Sequence, residues 1–252
     1  MPDLTIDPHL LDDITGGAAL DWATSWSRET EERTAVEHGT VSLARRIRDI
    51  LDTDDRIPYV SRRGDYLYNF WRDREHPRGL WRRTTTEDYL GGKGWEVLVD
   101  VDKLAADEDE DWVFKGASVR PIACDRALVR LSRGGADAVV VREFDLATRE
   151  FGGFELTEAK SEVSWVDRDT LFVGTDLGGD SLTTSGYPAE VRLWRRGTEL
   201  RDANVHFRGE RSDVAVGAHF DPTPGFERTI FTRALDFYNQ RTYIDGTLID
   251  VP

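Results

Sequence analysis

"CDRALVRLS" (Cys124–Ser132) and "VDRDTLFVGT" (Val166–Thr175) are two copies of one pattern. Each carries an Asp-Arg turn, a strand-like apolar run, then a Gly-containing turn and a second strand-like run. "GDYLYNFW" (Gly64–Trp71) and "FERTIFTRALDFY" (Phe226–Tyr238) are weaker copies. The spacing is irregular, about 40–60 residues, close to the period of a four-stranded propeller blade. Working outward, "GLWRRTT", "WEVLVD", "AVVVREFD", "EVSWVD" and "EVRLWRR" read as further short strands rich in β-branched and aromatic residues. Arg63-Gly64-Asp65, Arg133-Gly134-Gly135 and Arg196-Gly197 punctuate them as turns. No long helical pattern intervenes, which argues against a parallel βαβ sheet. The expected fold is mostly β: a partial, open β-propeller of about four blades over residues 57–252. "DGTLIDVP" (Asp245–Pro252) reads as a hairpin turn plus a strand start, so the expected end lies inside a blade.

Residues 1–56 read differently, as a short helical N-terminal leader. Trp22 and Trp26 stand four apart, and Leu43, Ala44, Ile47, Ile50 and Leu51 form an i, i+4, i+7 stripe. Gly39-Thr40 separates two helices, with Thr40 the expected N-cap, and Pro58 closes the region.

The formal net charge is −15. Such a surface repels phosphate backbones and anionic lipid, so neither nucleic acid nor membrane is an expected partner. Cys124 is the only cysteine, which excludes an intrachain disulfide and a Cys-x-x-Cys site. "MPDLTIDPHLLDD" has neither the basic nor the apolar region of a signal peptide, and no run approaches the roughly 18 apolar residues of a membrane span. The expected location is cytoplasmic.

"LYNFWRDREHPRGLWRRTTTEDY" (67–89), "LSRGGADAVVVREFDLATREF" (131–151), "LFVGTDLGGDSLTTSGYPAEV" (171–191), "RALDFYNQRTYI" (233–244) and the opening "DPHLLDDITGGAALDWATSWS" (7–27) resemble bacterial members of the prolyl oligopeptidase family. The resemblance runs from about Asp7 to Pro252. Leu10-Leu11-Asp12-Asp13 departs from the aromatic-Leu-Glu run usual there. The resemblance implies a helical segment packed on a hydrolase domain, a seven-bladed propeller that excludes folded substrates, and a C-terminal α/β-hydrolase domain with Ser, His and Asp. It further implies cleavage of short proline-containing peptides. Only the helical segment and part of the propeller have counterparts in these residues, so none of the family's catalytic residues carries over.

The residues bear this out motif by motif. "GGDSLTTSG" (178–186) spells the Gly-Asp-Ser-Leu esterase motif around Ser181. A serine needs a general base, and neither later histidine has an Asp three residues before it: His206 follows Ala203, and His219 follows Val216. Asp73-Arg74-Glu75-His76 has the Asp-x-x-His spacing but lies far upstream, so a loop between strands is expected. Gly-x-Ser-x-Gly is absent. "DEDED" (107–111), read as a calcium loop, would place Trp112 where Gly is required and Ser118 where Glu is required, so it is expected to be a solvated loop. His9, His38, His76, His206 and His219 show no metal-site spacing. Gly91-Gly92-Lys93-Gly94 lacks the Lys-Ser/Thr of a phosphate loop. Arg72, Arg74, Arg78, Arg82 and Arg83 among Trp71 and Trp81 suit either a first-blade hairpin or an interface. The expectation is therefore no catalytic, cofactor-binding or metal-binding residue and no cofactor. The chain is expected to be inactive alone and to gate or restrict substrate for a separate α/β-hydrolase chain acting on short peptides. The alternative is a non-catalytic propeller binding or scaffold module, or a decayed remnant.

Overall fold

All four copies of the opening pattern become the same element, the second strand of a four-stranded antiparallel sheet, in a computed structural model that describes residues 7–13, 16–37, 39–53 and 55–250. The chain divides into two compact units, Met1–Arg56 and Ile57–Pro252.

In the first unit, Asp7 caps a short 3-10 turn at Pro8–Leu11, its carboxylate accepting from the His9 N–H at 3.0 Å. Helix α1 spans Gly17–Glu37 and α2 spans Thr40–Leu51. The α2 cap is Gly39, at φ 64°, rather than Thr40. Thr40 is already helical, and its hydroxyl donates to the Thr34 carbonyl at 2.8 Å. Only a residue that tolerates left-handed backbone joins two helices this tightly. Trp22 and Trp26 meet edge to face, while Leu43, Ile47, Ile50 and Leu51 stay exposed. His38 lies outside the described residues.

The second unit is four blades in chain order. Blade one is β1 (Ser61–Arg63), β2 (Tyr66–Trp71), β3 (Leu80–Thr85) and β4 (Glu96–Asp100). Blade two is β5 (Trp112–Val119), β6 (Arg126–Arg133), β7 (Val139–Asp145) and β8 (Glu150–Ala159). Blade three is β9 (Glu162–Trp165), β10 (Thr170–Gly174), β11 (Glu190–Arg195) and β12 (Asn204–Arg208). Blade four is β13 (Ala215–Asp221), β14 (Arg228–Ala234), β15 (Gln240–Ile244) and β16 (Thr247–Ile249). Strand β16 is the fourth of its sheet, so the expected hairpin turn and strand start at Asp245–Ile249 complete blade four instead of stopping inside it.

Alternation along each middle strand sends one set of side chains toward each neighbouring blade. Tyr68, Trp81 and Leu98 of blade one pack with Trp112, Val129 and Phe144 of blade two. Leu128, Val141 and Phe154 of blade two pack with Trp165, Leu171 and Trp194 of blade three. Phe172 and Val191 of blade three pack with Val216 and Phe231 of blade four. The described core clusters thus join one to two, two to three and three to four, an open arc.

Two short helices interrupt the strands where none was expected. Helix α3 (Thr86–Leu90) starts on Thr85, whose hydroxyl accepts from the Asp88 N–H, and α4 (Val101–Glu108) on Asp100, which accepts from the Lys103 N–H. Such caps satisfy donors at a helix start that would otherwise be orphaned. Asp107 and Glu108 are therefore the last turn of α4 rather than loop. Val101 and Ala105 of this helix are buried against blades one and two.

Buried charge adds to the apolar contacts between blades. Glu143 of β7 is almost wholly enclosed and takes Arg126 of its own blade at 2.6 Å and Arg196 of blade three at 2.8 Å. Arg83 of blade one reaches the Leu146 carbonyl of blade two at 3.1 Å. The Trp165 indole donates to the Ser118 carbonyl at 2.9 Å.

Candidate functional site

The first strand of each blade, β1, β5, β9 and β13, is an end strand of its sheet. These four carry one row of backbone groups with no partner in their own sheet. Strands β9 and β13 lie side by side, joined by the Ser164 hydroxyl donating to the Ala218 carbonyl at 2.6 Å. Beside them opens a cleft of about 380 Å³, lined among others by Arg130, Glu162, Ser164, Gly217, His219 and Thr232. That volume lies within the range of small-ligand sites. A second cleft of about 320 Å³ opens between β1 and β5, with Tyr59, Tyr68, Phe70, Trp81 and Phe114 in its wall. The first cleft mixes polar Arg130, Glu162, Ser164, His219 and Thr232 with apolar Val163, Val216 and Ile230, and aromatic rings wall the second.

The motifs singled out in the sequence sit elsewhere and are consumed by structure. Ser181 lies in the β10–β11 connection, buried, and its hydroxyl accepts from the Leu177 N–H at 3.0 Å. Its carbonyl accepts from Ala189, and Thr183 next to it donates to the Val214 carbonyl of blade four. The loop thus ties blade three to blade four. His206 meets the Phe172 and Phe231 rings at tilted angles, with centroids 5.5 and 5.6 Å away. Asp73 and His76 face each other at 3.0 Å inside the β2–β3 turn. Burial works to raise the Asp73 carboxyl, but the His76 backbone N–H, the Trp71 indole and the His76 ring outweigh it and hold it below its ordinary value. We expect Ser181→Ala to lower stability by about 1 kcal/mol, the net worth of one hydrogen bond. Hydrolysis of p-nitrophenyl acetate by the chain should not change, and a loss of hydrolysis in that assay would restore Ser181 as a nucleophile.

The acidic run is paired rather than free. Glu108 accepts from the Trp112 indole and from Arg142, Glu110 binds Arg133, and Asp111 binds Arg78 at 2.6 Å. Among the described residues no group of three acidic, His or Cys side chains is placed to hold a metal. The Arg-Trp stretch packs in the same way. Arg82 lies between the Trp71 and Trp95 rings at 4.4 and 4.2 Å, and burial pushes its guanidinium down to about 10. Arg83 pairs with Glu96 at 2.6 Å. Cys124 sits half-buried in the β5–β6 turn at φ 48°, and burial raises its thiol.

Four successive four-stranded antiparallel blades, with clefts beside their first strands, define a β-propeller domain. The chain belongs to the prolyl oligopeptidase family: residues 9–223 match the model of the prolyl oligopeptidase N-terminal beta-propeller domain. It is 37% identical over 241 residues to an uncharacterized peptidase of Sinorhizobium fredii, covering 92% of this chain and 33% of that protein. It is 32% identical over 254 residues to an uncharacterized peptidase of Rickettsia prowazekii, covering 96% and 35%. Among solved structures it resembles a post-proline cleaving enzyme from Rickettsia typhi, at a TM-score of 0.83 and 31% identity, over 94% of this chain and 36% of that one. The chain therefore spans about a third of the length of these relatives. Among the described residues no helix is long and apolar enough to cross a membrane.

Proposed function

We propose that this propeller restricts substrate access for a serine-type peptidase that hydrolyses short proline-containing peptides, in partnership with an α/β-hydrolase domain. The observation that carries this reading is the pair of clefts on the inner edge strands of a family propeller. Each is large enough for a few residues of extended chain and far too small for a folded domain. Edge strands offer unpaired backbone to such a chain, as in strand addition. The likeness to a post-proline cleaving enzyme supports proline-containing peptides as the substrate class. Selection in this reading is by size and by unfolded state, set by what the two clefts admit. The acyl transfer itself would belong to the Ser, His and Asp of the hydrolase domain. The test is a series of peptides of increasing length, each with one proline, cleaved by a family hydrolase domain with and without this chain.

A further inference from the structure

Among the described residues Arg130 has no hydrogen-bond or ion-pair partner. The other half-buried or buried arginines of blades two to four pair with described carboxylates: Arg120 with Asp125, Arg126 and Arg196 with Glu143, Arg133 with Glu110, Arg142 with Glu108, Arg192 with Glu190, Arg228 with Asp221, and Arg233 with Asp213. Arg130 is half-buried on β6, and its guanidinium makes no hydrogen bond or ion pair to any described residue. The chain has 48 acidic residues, so this vacancy does not reflect a shortage of acids. The Arg130 nitrogens stay open to solvent, so the charge is hydrated in the free chain and within reach of an incoming anion.

The backbone makes room for this side chain. Strand β5 bulges between Phe114 and Gly116, and Gly116 takes φ 118°, which side-chain-bearing residues rarely adopt. A Cβ on Gly116 would lie 3.7 Å from Arg130 Nη2, so the guanidinium rests against the bare inner strand. From there it lines the cleft shared with Glu162, Ser164 and His219.

We propose that Arg130 is a carboxylate-binding subsite that captures the C-terminal carboxylate of a short peptide lying along the inner edge strands. The guanidinium fork fits a single carboxylate in two-point contact. The end strands β9 and β13 have an edge outside their sheet ladders for the residues preceding it, although the Val216 N–H is taken by the Pro188 carbonyl and the Ala218 carbonyl by Ser164. A chain of net charge −15 disfavours polyanions in the same cleft, which points to a singly charged peptide end. Glu162 in the wall of the cleft would repel a second acidic group beside the first. The choice of a peptide as ligand rests on the substrate-restricting reading above; the vacancy at Arg130 does not.

The test is calorimetric titration of the chain with Ala-Ala-Pro-Ala as the free acid and as its C-terminal amide. The free acid should bind roughly tenfold more tightly, as a charge-assisted bidentate contact would give. Arg130→Gln should erase that advantage and leave the amide unaffected. Arg130→Lys should keep part of it, since an ammonium retains the charge but not the fork. Equal binding of acid and amide overturns the subsite while leaving the size-selection reading intact, and so does an acid preference that survives in Arg130→Gln. Binding of neither form overturns the subsite too, and the length series then decides the other reading alone. Thermal melting of both variants, expected to match the parent chain, shows that neither result comes from unfolding.

Discussion

Replacing Glu143 with Ala should cost about 3–5 kcal/mol of folding stability, the range for removing one partner of a buried ion pair. Glu143 is enclosed on β7, and its two oxygens are divided between Arg126 and Arg196. Arg196 also contacts Asp169 at 3.2 Å and the Arg168 carbonyl, so the carboxylate holds a blade-two strand to a blade-three turn through one side chain. In Glu143→Ala both guanidinium groups keep their partial burial and lose their shared counterion. Glu143→Gln keeps shape and one acceptor and should cost less. Replacing all three residues with Met should recover part of the loss, because the cost lies in stranded charge more than in lost attraction. Urea denaturation measures each midpoint. A Glu143→Ala midpoint close to that of the parent chain would show that the clamp contributes little.

Trp112→Ala should be of similar size, about 3–5 kcal/mol, as for other buried aromatics truncated to Ala. Trp112 is fully buried at the start of β5, in the cluster that joins blade one to blade two. Its indole N–H donates to Glu108 at 2.8 Å, and Arg133 lies over the ring at 4.6 Å. The truncation therefore opens a cavity and frees the Glu108 carboxylate from one of its two partners. Trp112→Phe should restore much of the packing and show how much the indole hydrogen bond adds. A loss below about 1 kcal/mol for the Ala variant, read from the same urea curves, would mean that the first two blades associate by other contacts.

The pattern at Cys124 and Val166 was enough to find the blades because, apart from β14 with only Phe231 buried, the second strands are buried on both faces. They must be continuous runs such as Ala127-Leu128-Val129 and Leu171-Phe172-Val173. Of the first and fourth strands, β4 and β9 were legible in "WEVLVD" and "EVSWVD", whereas β1 and β8 escaped the same reading. Ser61-Arg62-Arg63 of β1 is exposed throughout, and β8 carries Gly152-Gly153 in its middle. Edge strands keep one side in solvent and need no apolar signature. Helices α3 and α4 are too short for periodicity to show, yet Thr85 with Asp88 and Asp100 with Lys103 have the spacing of capped starts. Ser181 shows the reverse case, a motif legible in the string that sits, as expected, in a loop between strands. The cleft was not legible. Arg130 is one of 33 basic residues, and only coordinates show that it is half-buried in a cleft wall with no carboxylate beside it among the described residues.

The length series tests the central claim most directly. Peptides of rising length, each with a single proline, are cleaved by a family hydrolase domain alone and then with this chain present. The account predicts that the chain leaves cleavage of the shortest peptides intact and lowers kcat/KM for the longest by roughly tenfold or more, about 1.4 kcal/mol of discrimination. A ratio of long to short cleavage that does not move when the chain is added would contradict it.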